Sequence, residues 1–352
     1  MELNVYTPGF EYLGCIDTFT SFRFRRQCFD AGEIELHCQA NENNLYLAQE
    51  DYFILRDGYD EIGVIEGRKI GDGDDGAMIA ATGRLGNCIL ERAIIDKTYN
   101  INGKIEEAMR KLISEQLPKV YANIELGALN GFTETVSAQI SYKSLLAALI
   151  ALSKCSNIFF RLRPDVAGKK LIFETYKGKD RTISQAENPR VVFSDLDETL
   201  SSPTYEKNKK NYKNYAIVAG EGEGDARTVI TVNRIKAGED RRELFVDAKD
   251  LQKGDLTQDE YIAQLTQRGN EKLDEAVIVE NFETSIETSG NYKYREDWDV
   301  GDEITCHKSE WNIIADTRIT EAEEVYEQDT GENGTVTPVF GSPLPEKFNI
   351  GG

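Results

Sequence analysis

Apolar and polar residues alternate in short runs through the first quarter of the chain. The segment EIELHC at 33–38, for example, alternates acidic or His residues with Ile, Leu and Cys. Alternation of this kind is typical of strands with one buried face. Residues 1 to about 90 contain six such strands, joined by turns such as Asp57-Gly58. Short strands at this spacing predict a barrel or a sandwich.

A helical spacing replaces the alternation in the next region. Residues 102–117 place apolar side chains three and four positions apart, and a second helix is predicted to begin at Ser141. Strand-like segments come next at 158–162 and 170–176. The region 92–182 is therefore predicted to be α+β and to form its own domain.

The segment NYKNYAIVAGEGEGDARTVITVN at 211–233 is the most complete hairpin signal in the chain. Its arms, 215–219 and 228–232, are apolar or β-branched, and an acidic, Gly-rich connection lies between them. Because neither arm alternates cleanly, we expect at least one arm to be buried on both faces. We therefore expect the hairpin to lie in the middle of a larger sheet.

A helix, strands and an extended tail are predicted after the hairpin. Thr257 and Glu260 form a capping-box signature within a helical excursion at 248–276. The tail, 331–352, is rich in Pro and Gly and is expected to end the fold as an extended strand or arm. Further strands are predicted at 277–287, at 304–307 and, as a pair, at 311–327.

Length and charge restrict the class of protein. The 352 residues allow two or three domains, and no run approaches the ~20 apolar residues of a membrane span. The first ten residues, MELNVYTPGF, lack the basic start and the following apolar core that are typical of a secretory signal. A net charge of −21 argues against free binding to nucleic acid, which depends on Lys and Arg. The six cysteines contain no CxxC pair, so we expect reduced thiols.

One segment resembles a catalytic motif. VVFSDLDETL at 191–200 is an apolar run followed by DxDxT, the first motif of the haloacid dehalogenase phosphatases. In that family the first aspartate, here Asp195, attacks phosphorus, the second, here Asp197, is a general acid, and Mg²⁺ neutralises the phosphate. The next segment, SSPTYEKNKK and then a hairpin, lacks the alternating strands and helices of that fold. We therefore interpret the motif as an acidic loop.

Other candidate sites are weaker. GDGDDG at 71–76 could offer oxygen ligands to Ca²⁺, but it lacks the twelve-residue loop that ends in Glu, so a hairpin tip is the preferred interpretation. His37 and His307 each lie beside a cysteine. Because neighbouring residues on a strand point to opposite faces, neither histidine can act together with its adjacent cysteine. A pair of catalytic carboxylates of the glycosidase type is a further alternative, but the 62 acidic residues offer too many pairs for the sequence to identify one. We predict no catalytic, cofactor-binding or metal-binding residue and no cofactor.

In their order and spacing, eight segments resemble the baseplate-hub (tail-tip hub) proteins of tailed bacteriophages and related prophage particles. The resemblance covers nearly the whole chain. The segments are FRFRRQCFDAGEIELHCQA (22–40), GVIEGRKI (63–70), ATGRLGNCILERAII (81–95), KGKDRT (177–182), VVFS (191–194), NYKNYAIVAGEGEG (211–224), DTRITEAEEVYE (316–327) and FGSPLPE (340–346).

The resemblance implies an α+β, mainly β fold. It further implies two small β-barrels similar to the tail-tube protein, with an α+β insertion domain and a small helical excursion attached to them. The implied parts are a first barrel at 1–91, completed by strands near 183–200, an insertion domain at 92–182, a second barrel from 183–247 and 277–340, a helical insertion at 248–276 and a C-terminal arm at 341–352.

The resemblance also implies a structural, non-enzymatic function in the phage virion. Three chains would form a ring whose six barrels continue the hexameric tail tube and connect it to the tip. The expected neighbours are a tail-tube or distal tail protein ring, a tip or spike protein and the tape-measure protein. DNA would pass through the lumen without specific binding, and the particle would assemble in the host cytoplasm. Any receptor-binding or lysin activity is expected to belong to another protein, because the chain stops at Gly352.

Two alternatives stay open at this point. The first is a phosphatase that uses Asp195 and Asp197. The second is a host-surface carbohydrate-binding module, which the 16 tyrosines permit.

Overall fold

The computed structural model describes residues 1–73, 76–196, 201–285, 292–327 and 334–341, and within these ranges the chain forms 21 strands and four α-helices. The strands are β1 (Leu3–Tyr6), β2 (Tyr12–Ile16), β3 (Ser21–Gln27), β4 (Glu33–Gln39), β5 (Phe53–Arg56), β6 (Ile62–Gly73), β7 (Gly76–Leu85), β8 (Tyr99–Lys104), β9 (Ile124–Leu126), β10 (Thr135–Ile140), β11 (Phe159–Asp165), β12 (Lys170–Tyr176), β13 (Val192–Ser194), β14 (Ser201–Asn208), β15 (Tyr215–Ala219), β16 (Val229–Asn233), β17 (Glu243–Asp247), β18 (Val279–Ser285), β19 (Glu303–Lys308), β20 (Ile313–Glu327) and β21 (Thr335–Gly341). The helices are α1 (Glu42–Leu47), α2 (Ile105–Gln116), α3 (Leu145–Ser156) and α4 (Gln258–Asp274).

One large sheet joins the two ends of the sequence. Its path runs β14-β18-β21-β20-β3-β4-β7-β6-β5-β1-β2, and β19 pairs with β20 on one side and with β13 on the other. β3 and β20 are antiparallel, from Gln27 opposite Glu321 to Ser21 opposite Glu327. We call the β3–β20 pairing, together with the side chains packed against it, the junction. It connects strands of the N-terminal quarter directly to strands near the C-terminus.

The long strand β20 changes partners along its length. Ile313–Arg318 pairs with β19, and the remainder pairs with β21 and β3 after a bulge between Ile319 and Glu321. The prediction of a strand pair over 311–327 is therefore wrong. From residue 313 onward the segment contains none of the Gly, Pro or Asn residues that favour a tight turn, so the strand continues.

The fold is mainly β with an α+β part, as predicted. Closed barrels are not observed: among the described residues the path of the large sheet has two ends, at β14 and β2. Strands β1–β7 nevertheless surround one apolar core, whose fully buried members include Leu3, Leu36 and Ile65. A second core, centred on Phe193, Trp298 and Phe340, lies among β13, β18, β19, β20 and β21. The barrel domains stay a prediction.

The middle of the chain forms the predicted α+β region. α2 begins three residues later than predicted, because residues 102–104 belong to β8. Ser144 caps α3 through a 3.1 Å hydrogen bond from the Ala147 N–H to its Oγ. The largest core of the chain includes Met109 of α2 and Leu149 of α3 together with Phe53 and Val64 from strands β5 and β6. Apolar side chains from both sides of residues 91 and 92 therefore pack together.

The central hairpin forms as predicted, but it does not lie in the large sheet. β15 pairs with β16 and β17 in a separate three-stranded sheet, and α4 covers one of its faces. Thr257 and Glu260 form the predicted capping box at the start of α4. We call residues 211–276 the hairpin–helix unit. Neither arm is fully buried on both faces, contrary to the prediction: Tyr215 and Ile217 of β15 are half-buried, and Val229 of β16 is exposed on the face opposite α4.

This packing depends on two glycines. A Cβ at Gly269 in α4 would lie 2.7 Å from the Cγ2 atoms of Val218 and Val232, so the helix approaches the sheet closely only without a side chain there. A Cβ at Gly220 would lie 2.2 Å from the Tyr261 hydroxyl. That hydroxyl donates to the Leu251 carbonyl at 3.0 Å and accepts from the Glu221 N–H at 2.8 Å.

Candidate functional site

Asp195, the first aspartate of the phosphatase-like motif, is used as a structural anchor. It comes directly after β13, and its carboxylate accepts the Ser309 N–H at 2.9 Å, the Ser309 hydroxyl at 2.8 Å and the Lys308 ammonium at 3.0 Å. The hydrogen bond from the Ser309 backbone, supported by the Ser309 and Lys308 side chains, lowers the pKa of Asp195 below its usual 3.8. All of these donors belong to the β19–β20 turn, which the carboxylate fixes against β13.

The surroundings of Asp195 do not fit phosphoryl transfer. β13 pairs in parallel with β19, but β19 pairs antiparallel with β20, so the doubly wound parallel sheet of the phosphatases is absent from the described part of the chain. Asp197 lies outside the described residues. Within those residues no group of three or more His, Cys, Asp or Glu side chains could hold a metal ion.

The two histidines have separate environments. His37 Nε2 lies 2.7 Å from Glu35 Oε1 on the outer face of β4, and this hydrogen bond lowers the pKa of Glu35. His307 lies on β19 beside Cys306, whose pKa burial raises well above its usual value. A buried thiol of this kind is not a nucleophile. The two His–Cys pairs therefore provide no catalytic arrangement.

The two Gly-rich segments are hairpin connections. Between β15 and β16, the Arg227 guanidinium donates to the Gly220 carbonyl at 2.8 Å and to Asp247 at 2.5 Å, which ties the connection to the end of β17. The adjoining open depression is lined by Glu221 and Glu223, which would repel a phosphate. The other segment, 71–76, joins β6 to β7, and its Asp74 and Asp75 lie outside the described residues.

A group of buried charges lies at the junction and was not identified from the sequence. Arg26 on β3 is buried and forms ion pairs with Glu61, at 2.5 Å, and with Asp299. Its Nη1 also donates to the Tyr294 hydroxyl at 2.9 Å. A cavity of about 20 Å³ adjoins Arg26 and Glu61. It holds one water molecule at most and is too small for a substrate.

Glu324 forms the second centre of this charged network. The Glu324 side chain is 1% exposed. It accepts hydrogen bonds from Arg56 at 3.1 Å, from Arg295 at 3.3 Å and from the Tyr326 hydroxyl at 2.5 Å, and also from Tyr59. The partners come from β5, from the loop before β19 and from β20 itself, so the network joins three parts of the chain. It acts as a clamp and presents no open site.

A signal for this network was present in the sequence. Arg26 occupies the same strand phase as Phe22 and Phe24, which are buried. Glu324 likewise occupies the buried phase of β20 between Ala322 and Tyr326. A charged residue in the apolar phase of a strand needs a buried partner. Two such residues on different strands indicated that the strands meet.

Both ends of the large sheet are protected against strand addition. At one end, β14 carries Pro203 and the exposed ion pair of Lys207 with Glu280. At the other end, Asn43 of α1 donates to the Cys15 carbonyl of β2 at 3.3 Å. Proline, charge and a covering helix are common protections of sheet edges. The two edges are therefore unfavourable sites for the addition of another strand.

The exposure of several large apolar side chains was also not predicted from the sequence. Leu196, Trp311 and Ile314 lie around the turn between β19 and β20, and Ile94, Val120 and Tyr142 lie on the α+β region. Trp311 and Ile314 belong to the segment interpreted as half of a strand pair. The sequence signal for this patch was Ile314, an apolar residue that shares the solvent-facing phase of β20 with Asp316. No helix in the described residues is long and apolar enough to cross a membrane.

Comparison with known proteins gives a match over nearly the whole chain. A family model described as Siphovirus ReqiPepy6 Gp37-like protein matches residues 2–342. No curated protein sequence matches.

Three solved structures are similar in fold. The tail protein from Neisseria meningitidis MC58 has a TM-score of 0.61 at 13% identity, covering 97% of this chain and 96% of that chain. The prophage tail protein gp18 from Listeria monocytogenes EGD-e has a TM-score of 0.60 at 11% identity, covering 98% and 96%. The 43 kDa tail protein of prophage MuSo2 from Shewanella oneidensis has a TM-score of 0.60 at 11% identity, covering 97% and 98%. At these identities the likeness shows the fold alone.

Proposed function

Because the chain belongs to the Siphovirus ReqiPepy6 Gp37-like family of phage tail proteins, we propose that it forms the hub of the tail tip. As a member of that family, it is a component of the phage virion. In the proposed hub, three copies form a ring that continues the hexameric tail tube and connects it to the tip. The role is structural, without a catalytic step.

The observation that carries this proposal is the junction. A single pairing of β3 with β20 holds the N-terminal strands and the C-terminal strands in one sheet. Each group of strands has its own apolar core. One chain thus supplies two β units side by side, and three chains supply the six units that a hexameric tube requires.

The outer face of the junction suits the wall of a DNA passage. Arg23 lies 3.4 Å from both Glu35 and Glu323. Arg25 is placed in the same way between Glu33, at 3.4 Å, and Glu321. Each of these two arginines is shared by two carboxylates, so this group of described residues carries excess negative charge and both of its cations are already paired. Passing DNA is therefore not retained.

The position of the ring determines its neighbours. We propose a tail-tube or distal tail protein ring on one side, a tip or spike protein on the other, and contact with the tape-measure protein. DNA passes through the lumen without sequence-specific contacts. No observation favours the phosphatase or the carbohydrate-binding alternative.

Mass photometry and native mass spectrometry of the purified chain test the ring. The proposal predicts monomers of 39.6 kDa in equilibrium with trimers, with the trimer fraction rising with concentration. A strict dimer would contradict the proposal. So would a monomer that persists at a concentration on the order of 100 μM, because a contact that does not form at that concentration is too weak to hold a stable assembly.

A further inference from the structure

Three large apolar side chains are exposed together around the turn between β19 and β20. Leu196, Trp311 and Ile314 are between 43% and 68% exposed. They are held close to one another: Asp195 binds the β19–β20 turn that contains Trp311, and Ile314 pairs across the strands with His307, which itself pairs with Ser194. We call Leu196, Trp311 and Ile314 the arm patch. Because Asp195 and the pairing of three strands fix it, the patch is pre-organised.

A second exposed apolar group lies on the α+β region. Ile94, Val120 and Tyr142 are between 45% and 75% exposed. Ile94 bridges to Ser144, which places it beside Tyr142, and the ion pair of Lys119 with Asp96 at 2.7 Å brings the segment of Val120 to the same place. Tyr142 has a positive φ of 49°, an uncommon conformation for a residue with a side chain. We call Ile94, Val120 and Tyr142 the insertion patch.

The insertion patch lies beside the start of α3, and the chain that follows α3 enters the core that contains Phe193, three residues before Leu196 of the arm patch. The helix begins at Leu145, beside the insertion patch. After it ends at Ser156, the chain enters β11, whose first residue, Phe159, packs in the core that contains Phe193 of β13. Twelve helical residues span roughly 18 Å. The two patches are therefore separate surfaces of the chain.

The charges of the two regions are opposite. Residues 92–182 contain fifteen Lys and Arg against nine Asp and Glu, although the whole chain is strongly acidic. Residues 277–340, which include Trp311 and Ile314 of the arm patch, contain four Lys and Arg against sixteen Asp and Glu. Beside the arm patch Glu310 is paired with Lys308, and beside the insertion patch Arg92 and Lys119 are paired with Asp51 and Asp96, so the opposite charge belongs to the two regions as a whole. Opposite charge favours contact between unlike regions and disfavours contact between like regions.

We propose that the arm patch of one copy of this chain packs against the insertion patch of the next copy. This inference rests on the proposed ring and specifies how the ring closes. Two different complementary surfaces on one chain make a heterologous contact, which is the type that closes a three-membered ring. Three side chains are fewer than the roughly 20–30 residues on each side of a standard interface, so the patches form the apolar centre of a larger contact.

The test uses one variant in each patch. Ile314→Asp disables the arm patch and Tyr142→Asp disables the insertion patch, and both side chains are exposed, so the fold is retained. Each variant alone is expected to be monomeric, with trimer formation weakened by about 30-fold or more, the factor of a hot-spot residue. Mixed in equal amounts, the two variants are expected to form dimers and no trimers, because only one intact contact can form between them.

Controls separate this inference from the ring itself. Phe245→Asp changes an equally exposed apolar residue on the hairpin–helix unit and is expected to leave the trimer unchanged. The variants Leu196→Ser and Ile94→Ser repeat the test with milder changes, and the unfolding midpoints of all variants verify their folding. If the wild type is a trimer and both Asp variants are also trimers, or if their mixture stays monomeric, the inference is wrong and the ring stands. If the wild type is never a trimer, the ring is wrong as well.

Discussion

The junction and the hairpin–helix unit are stabilised in different ways. At the junction, strands that are distant in sequence meet, and buried charges join them: Arg26 with Glu61 and Asp299, and Glu324 with its cation partners. In the hairpin–helix unit, residues 211–276 are continuous in sequence and surround an apolar core of their own. The comparison indicates that the junction depends on specific pairs, whereas the unit depends on local packing and can open separately.

Loss of Arg26 is expected to have the largest effect. Arg26→Met leaves Glu61 and Asp299 without their buried cation, and removal of one partner from a buried ion pair costs about 3–5 kcal/mol. Urea unfolding should show this loss in the global transition. Arg23→Met is the matched control, because Arg23 is half exposed and its pairs are worth about 0–1 kcal/mol. Equal losses for the two variants would contradict a clamp at the junction.

Leu265→Ala is expected to affect the hairpin–helix unit alone. Leu265 is fully buried between α4 and the three-stranded sheet, and such truncations cost about 2–5 kcal/mol. Hydrogen exchange should accelerate at the amides of β15 and α4 while the amides of β3 and β20 keep their protection. Faster exchange throughout the large sheet would show that the unit and the junction unfold together.

Gly269→Ala tests the close packing of α4 on the three-stranded sheet of the hairpin–helix unit with a smaller change in side-chain size. Alanine favours the helix by about 1 kcal/mol, but its Cβ would lie 2.7 Å from two valine side chains that are stiff at χ1. Because overpacking costs about 1–3 kcal/mol, we expect a net destabilisation of about 1 kcal/mol. Thermal unfolding measures the change. A more stable variant would mean that α4 lies farther from the sheet than the structure indicates.

Acid should release the anchor at Asp195. The pKa of Asp195 is lower in the folded chain than its usual 3.8, so the stabilisation is fully present above that value and is lost as the pH falls through the lower, folded value. Asp195→Asn removes this contribution. The difference in unfolding midpoint between wild type and variant should therefore shrink below pH 3.8. A difference that is constant with pH would show that the carboxylate is not held as described.

Individual strands, turns and helix caps were predictable from the sequence, whereas the elements against which they pack were harder to predict. The hairpin at 211–233 and the capping box at Thr257 are decided by neighbouring residues, and both are present. The placement of the hairpin was missed, because it depends on contact with a helix some forty residues away. Gly269, a glycine in the middle of a helix, was the signal for that close approach.

The site was less predictable than the fold. The polar segment and hairpin after residues 191–200 argued against a phosphatase, but the role of Asp195 depends on Ser309, more than a hundred residues later. The arm patch is brought together by three strands, so no local pattern describes it. The junction, by contrast, could have been predicted from Arg26 and Glu324, which are charged residues at positions of the strand pattern that are otherwise apolar.

The position of the junction in the intact tail tests the account most directly. Cryo-electron microscopy of the tail tip should show three copies of this chain around the tail axis, at the end of the tube, with β3 and β20 lining the lumen. A map in which the chain is peripheral to the axis, or in which β3 and β20 face away from the channel, would contradict the account.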